Sequence, residues 1–354
     1  MKIQNFTYSS LPIRVHFGQG TFSKLPELLN QSNKAFIIAS SRLQNRINEL
    51  SSSLGSERVF HFDEVIQHVP SYLVDKALNE QQIQKTDVLV AIGGGSAIGL
   101  AKAMALQLKQ PIIAIPSTYS GSEMTNIWGI SKDGVKTTGR DASVLPKAVI
   151  YDPDLTKNMP KELAVKSAFN ALAHLMEAAY APDTNPITYN NSLLGINKII
   201  EALDLLKTSD EITAEANDLL LFGAFLGGKG LGEVSMSLHH KTAHTLGGSF
   251  GMDHASVHTV IQPYVFAYQW DSLEHSLQRD FQKAYNQEFP PLKVQSLIRE
   301  LGAPFSLKEI GFEENNMEEA AEIMLSKPYA NPKPLEKEGL IQMLNQAYSG
   351  ILHS

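Results

Sequence analysis

The chain has 354 residues, 43% hydrophobic and 19% charged, with a formal net charge of −7 and no cysteine. That length suits two domains, and the composition is that of an ordinary folded protein. The acidic balance, with no Lys/Arg run, excludes an electrostatic nucleic-acid binder; the missing cysteines exclude disulfides, thiolate chemistry, iron–sulfur clusters and cysteine-held zinc.

The opening residues have no apolar signal core. The most apolar stretch, 88–101, is glycine-rich and too short to cross a bilayer. These features predict a cytoplasmic enzyme with no membrane partner. Ile13, Val15 and Phe17 alternate and stop at Gly18 and Gly20, as a strand entering a turn does. Phe22, Leu25, Leu28 and Leu29 carry a helical pattern over 21–30. Residues 35–39 read as a buried strand, 59–62 as a weaker one, and Ser71 as the N-cap of a helix reaching about Gln82. Residues 88–92 and 112–115 are two further apolar strands. Short apolar runs separated by helices are the pattern of parallel strands covered on both faces. After 153–160 the strand-like runs nearly vanish, and Ala/Leu/Met/Glu-rich helices are predicted at 161–181, 190–206, 213–228 and 316–326. The fold class is α/β: an N-terminal dinucleotide-binding domain (1–157) with a mostly parallel sheet, and a C-terminal all-helical domain (158–354).

Two loops are candidate cofactor sites. Strand 88–92 runs into Gly93, Gly94, Gly95 and Ser96 and then a helix. Glycines let a pyrophosphate approach the backbone, and the helix start offers free N–H groups. The spacing is not G-x-G-x-x-G, so a turn that binds nothing is the competing reading. After the next strand come Ser117, Thr118, Tyr119, Ser120, Gly121 and Ser122. Their hydroxyls and amides suit phosphate, ribose or a carboxamide, although such clusters are often plain loops. Loops following neighbouring strands lie side by side at the carboxyl edge of the sheet, where open α/β folds bind ligands.

Eleven histidines are present, and five of them (His239, His240, His244, His254 and His258) fall within 20 residues. His240 and His244 share a helix face, and the glycine-rich bend at 247–251 can fold His254 back toward it. Upstream, Asn170 and His174 are also four apart. A lone buried histidine is usually structural, but a cluster suits metal ligation or proton transfer.

Phe17-Gly18-x-Gly20, the Gly93–Ser96 turn with Ala101-Lys102, the 117–123 loop, Tyr151-Asp152-Pro153, and His240-x-x-Ala243-His244-x-Leu246-Gly247 with His254 together resemble the iron-containing alcohol dehydrogenase superfamily. In metal-dependent members an Asp and three His bind a divalent ion; the resemblance puts those positions on Asn170, His174, His240 and His254, and places His244 near the nicotinamide without being a ligand. Asn170 is a poor ligand for a dication, and Gly99 replaces the usual Asp of GGGSxxD. Both departures resemble the maleylacetate reductase branch, as do residues 119–125, Trp128-Gly129, residues 136–141 and residues 238–241. That branch implies reduction of maleylacetate by NADH or NADPH in aromatic-compound degradation, no tightly bound metal, and a homodimer. The substrate is then a small dicarboxylate, with Arg140 and Lys136, Lys241 behind them, and Tyr119 as its candidate partners. His244, with His240 and His254, is the candidate for stabilising an enolate and supplying a proton. Alternatives are a metal-dependent alcohol or polyol dehydrogenase of the same superfamily, a lyase like dehydroquinate synthase, and a non-catalytic nucleotide-binding protein.

Overall fold

A computed structural model describes residues 5–29, 34–133 and 135–353, without the side chains of Val135 and Lys136. The chain divides into two compact units, Ser10–Met159 and Pro160–Ser354 together with Met1–Ser9. The division lies two residues beyond the one read from the sequence. Residues 5–9 group with the helices: Tyr8 donates to Glu233 (2.8 Å) and accepts from Lys229 (2.7 Å).

The first unit holds strands β1 (Arg14–Phe17), β2 (Ala35–Ala39), β3 (Val59–Phe62), β4 (Val88–Gly93), β5 (Ile112–Pro116), β6 (Ile127–Lys132), β7 (Val135–Arg140) and β8 (Ala148–Tyr151). Six form a sheet in the order β1-β8-β5-β4-β2-β3, every pairing parallel. Ile37, Val90, Ile92, Ile113 and Ile115 pack with Leu25, Ile47 and Leu50 in one core. The alternate residues Phe36, Ile38, Leu89 and Ala91 are equally buried, so both faces are covered, as parallel strands require. The helices of this unit are α1 (Leu25–Leu28), α2 (Gln44–Leu54), α3 (Ser71–Gln84) and α4 (Gly95–Leu108).

Three local features differ from the sequence reading. The helix expected over 21–30 is a 3-10 turn, Thr21–Lys24, followed by the single turn α1; Asn30 lies outside the described residues. Pro70, not Ser71, takes the N-cap position of α3, because His68 and Val69 both have left-handed backbones and the chain turns there. β6 and β7 form a separate antiparallel hairpin that carries no buried apolar run among its described side chains, which are partly buried or exposed.

The second unit is helical: α5 (Lys161–Tyr180), α6 (Pro186–Leu206), α7 (Ala214–Glu233), α8 (Leu238–Ser249), α9 (His254–Trp270), α10 (His275–Tyr285), α11 (Pro290–Glu300), α12 (Met317–Leu325) and α13 (Lys337–Ser349). Every residue of α5 from Ala171 to Tyr180 is buried, so this helix runs through the interior. Leu238, Leu246, Val257, Ile261, Met324 and Leu344 form a core joining α8, α9, α12 and α13. Among the described residues no single helix is long and apolar enough to cross a membrane.

Candidate active site

In the first unit, β4 and β5 are neighbours, and Gly93 pairs with Pro116. The Ser117 amide donates to the Gly93 carbonyl at 3.0 Å, so the two candidate loops lie side by side. Gly94 is the N-cap of α4; the cap has no side-chain hydrogen bond, and the first turn has no acidic residue. A Cβ on Gly94 would stand 3.0 Å from both Thr118 Oγ1 and Cγ2. A side chain at Gly94 would crowd Thr118, and glycine leaves the start of the 14-residue helix α4 open beside the hydroxyl loop. Gly95 and Ser96 open the helix, and both loops keep partly exposed residues, Ser117, Thr118 and Ser122 among them. This arrangement fits the pyrophosphate of a dinucleotide.

The loop is held from behind by a residue that sequence reading used only as a family marker. Lys102 is fully buried and donates to the carbonyls of Ser122 (2.6 Å), Thr125 (2.7 Å) and Ile127 (2.9 Å) and to Thr125 Oγ1 (3.0 Å). Burial pulls its pKa down to about 7, against the opposing pull of Glu123. Glu123, also fully buried, accepts from Tyr151 Oη at 2.8 Å. A Cβ on Gly99 would lie 2.8 Å from Val69 Cγ2, so Val69 occupies the space next to the position where the motif usually carries Asp. Tyr119 is fully buried, and burial raises its pKa. Arg140 ends β7, is exposed, and donates to Asn126 Oδ1 at 3.1 Å. Lys136 pairs with Ser131 in the hairpin, and its side chain lies outside the described residues.

In the second unit, α5, α8 and α9 bring the histidines together. His174 stacks on His240 with ring centroids 4.9 Å apart, and His244 on His254 at 5.9 Å. The bend between α8 and α9 turns at Gly251, whose φ is +67°. It returns the chain so that His254, the first residue of α9, meets the face of α8 that carries His244. Asn170 sits one turn before His174 on α5 and is partly exposed, while His244 is exposed. Lys241 is half-buried on α8; its pKa is lowered by burial and by the like charge of Lys327.

The residue that organises the cluster is Glu177, one turn after His174 on α5 and fully buried. It accepts from the amides of Ser237 (2.9 Å) and His239 (2.7 Å), and so caps the start of α8, which has no side-chain cap of its own. It also accepts from His240 Nδ1 at 2.6 Å. Burial alone would raise its pKa, but His240, His239 and the Ser237 amide outweigh that and hold it below the usual carboxylate value. With Nδ1 donating to an ionised carboxylate, His240 presents Nε2, which is buried and has no partner among the described residues. Sequence reading passed over Glu177, although the spacing 170, 174, 177 puts it on the same helix face as Asn170 and His174. His239 and His258 stand behind the site and are fully buried. Burial holds His239 at about 3 and His258 well below the ordinary imidazole value, so both rings are neutral.

The donor set does not fit a divalent ion as it is arranged. By the family resemblance the position of the carboxylate ligand falls on Asn170, a neutral amide. Glu177 is already engaged by two amides and His240. His254 Nε2 is hydrogen-bonded to His258 Nε2 at 3.1 Å. Among the described residues no group of three His, Asp or Glu is placed to hold a metal ion.

Comparison with known proteins places both halves. The family model for iron-containing alcohol dehydrogenase matches residues 12–153, and the family's C-terminal model matches residues 164–348. The chain belongs to the iron-containing alcohol dehydrogenase family and is an oxidoreductase. Within the family it is 41% identical to a maleylacetate reductase of Sphingobium indicum, over 98% of each chain. It is 34% identical to the solved maleylacetate reductase of Agrobacterium tumefaciens, with a TM-score of 0.92 over 99% of each chain. For the maleylacetate reductase of Rhizobium sp. strain MTP-10005 the values are 35% and 0.92, again over 99% of each chain.

Proposed function

We infer that this protein reduces the conjugated carbon–carbon double bond of maleylacetate to give 3-oxoadipate, without a metal ion, as a homodimeric cytoplasmic enzyme of aromatic-compound degradation. The observation that carries the reading is a histidine site with a neutral amide, Asn170, in the position of the metal-binding carboxylate, in a chain 41% identical to a maleylacetate reductase. An alcohol dehydrogenase must stabilise an alkoxide, a localised charge suited to a Lewis acid. Reduction of an enone spreads the charge into an enolate, which hydrogen-bond donors can hold.

Bound NADH or NADPH supplies the hydride; the Gly93–Ser96 turn, Ser117, Thr118 and Ser122 hold its phosphates and ribose. The Ala35–Ala39 strand ends in Ser40 and Ser41, with no acid there to reject a 2′-phosphate, so both cofactors are accommodated. In the helical unit, His254 and His244 donate hydrogen bonds to the enolate oxygen. His240, held at Nδ1 by Glu177, takes up a proton at Nε2 and gives it to the carbon next to the enolate carbon, returning to the neutral ring. His244 is exposed and passes protons to and from solvent. Lys241 and Lys327 are like charges close enough to interact. That supports Lys241 as a carboxylate partner.

The test is oxidation of NADH and of NADPH by EDTA-treated enzyme with freshly generated maleylacetate. Rapid oxidation is the expected result. Turnover of simple alcohols alone, and only after Zn²⁺ or Fe²⁺ is added, would overturn the reading.

A further inference from the structure

His258 touches four other imidazoles. Its ring centroid lies 4.4 Å from His254, 5.0 Å from His239, 5.1 Å from His240 and 6.4 Å from His174. Two of these contacts are hydrogen bonds: Nε2 to His254 Nε2 at 3.1 Å, and Nδ1 to His239 Nε2 at 2.9 Å. The three rings form a line from the fully buried His239 to the partly exposed His254. Two polar rings buried in a row are less favourable than apolar side chains of similar volume. Packing alone therefore does not account for them.

The far end of the line fixes the direction of its hydrogen bonds. His239 Nδ1 is buried and has no partner among the described residues. Unpaired N–H groups are rarer in protein interiors than unpaired acceptors, so this atom is the bare nitrogen of its ring. His239 then carries its proton on Nε2 and donates to His258 Nδ1. His258 carries its own on Nε2 and donates to His254 Nε2. His254, accepting there, keeps its proton on Nδ1.

We propose that His258, backed by His239, is a positioning residue that fixes His254 as a neutral ring protonated on Nδ1, so that His254 enters the reaction as a hydrogen-bond donor through that nitrogen. The assignment of a role to His254 rests on the enone reduction proposed above. Glu177 sets the opposite arrangement on His240, whose proton is drawn to Nδ1 on the interior side and whose Nε2 faces the cluster. The two interior partners thereby separate the roles of two neighbouring rings, one a fixed donor and the other a proton-exchanging nitrogen. No proton leaves the His239–His258–His254 line, since its departure would leave an imidazolate in the core.

The experiment is long-range proton–nitrogen correlation of the histidine rings in the full-length, ¹⁵N-histidine-labelled enzyme without substrate, with His254→Gln to assign the signals, combined with steady-state kinetics. Wild-type His254 should show the Nδ1-protonated pattern, and His258→Leu should move it to the Nε2-protonated one. His258→Leu should lower kcat about tenfold or more, the size of effect seen when the partner that orients a functional imidazole is removed, with KM little changed. His258→Gln, whose amide N–H can still reach His254, should recover most of that loss; it also serves if the leucine variant does not fold. An Nε2-protonated His254 in the wild type, or equal kcat in the leucine and glutamine variants, would overturn the proposal. If the wild type does not reduce maleylacetate, the functional reading fails while the nitrogen spectra still decide the role of His258.

Discussion

Replacing Glu177 with Gln tests the cluster at its most connected point. The carboxylate accepts the amides of His239 on Oε1 and Ser237 on Oε2, the His240 ring N–H on Oε2, and Tyr180 Oη on Oε1 at 3.3 Å. A glutamine offers one acceptor oxygen where there were two, and whichever way it turns, its NH₂ group faces a backbone N–H. A buried donor left unpaired costs about 1–3 kcal/mol. The variant should lose about 1–3 kcal/mol out of a total of roughly 5–15 kcal/mol. Urea denaturation of wild type and variant in parallel measures the difference. Its pH dependence follows from the depressed pKa of Glu177. The stabilising contribution is fully present above the ordinary value of 4.5 and is lost as pH falls through the lower folded value, so the gap between the two proteins should close in acid. At neutral pH, kcat should fall about 10- to 100-fold, because His240 loses the partner that fixes its ring. A variant that denatures at the same urea concentration as wild type and keeps its kcat would refute the reasoning.

Three further substitutions separate the two units. Gly94→Ala brings a methyl group to 3.0 Å from Thr118 and should raise KM for the nicotinamide cofactor about tenfold or more, while the histidine spectra stay unchanged; wild-type cofactor affinity would remove the turn from the site. Lys102→Met leaves the carbonyls of Ser122, Thr125 and Ile127 without their donor and should lower stability by about 3–5 kcal/mol in urea denaturation, with cofactor KM rising as the Ser117–Ser122 loop loosens; an unperturbed variant would show the loop holds itself. Lys241→Ala should raise KM for maleylacetate about tenfold, about 1.4 kcal/mol, with kcat nearly intact; an unchanged KM would leave Arg140 and Lys136 as the carboxylate partners.

The parallel sheet and the helical half were legible in the chain because each rests on local pattern: apolar runs at 35–39, 88–92 and 112–115 buried on both faces, and long Ala/Leu-rich helices after residue 160. The pairing of the two candidate loops was legible too, since loops leaving adjacent parallel strands have no other place to go. So was the histidine cluster, because four-residue spacing on α5 and α8 puts side chains on one face whatever the tertiary packing. What tertiary structure alone decided is what holds these groups in place. Glu177 reaches His240 across 63 positions, Lys102 reaches the loop at 122–127 across 20 to 25, and His239 meets His258 across 19. A buried charge or imidazole is stable only where several donors or acceptors converge on it, and that convergence is a property of packed helices and strands rather than of any segment. The sequence by itself therefore determined which side chains could take part in the chemistry, and only the fold decided which ring nitrogens of His239, His240, His254 and His258 are held by partners.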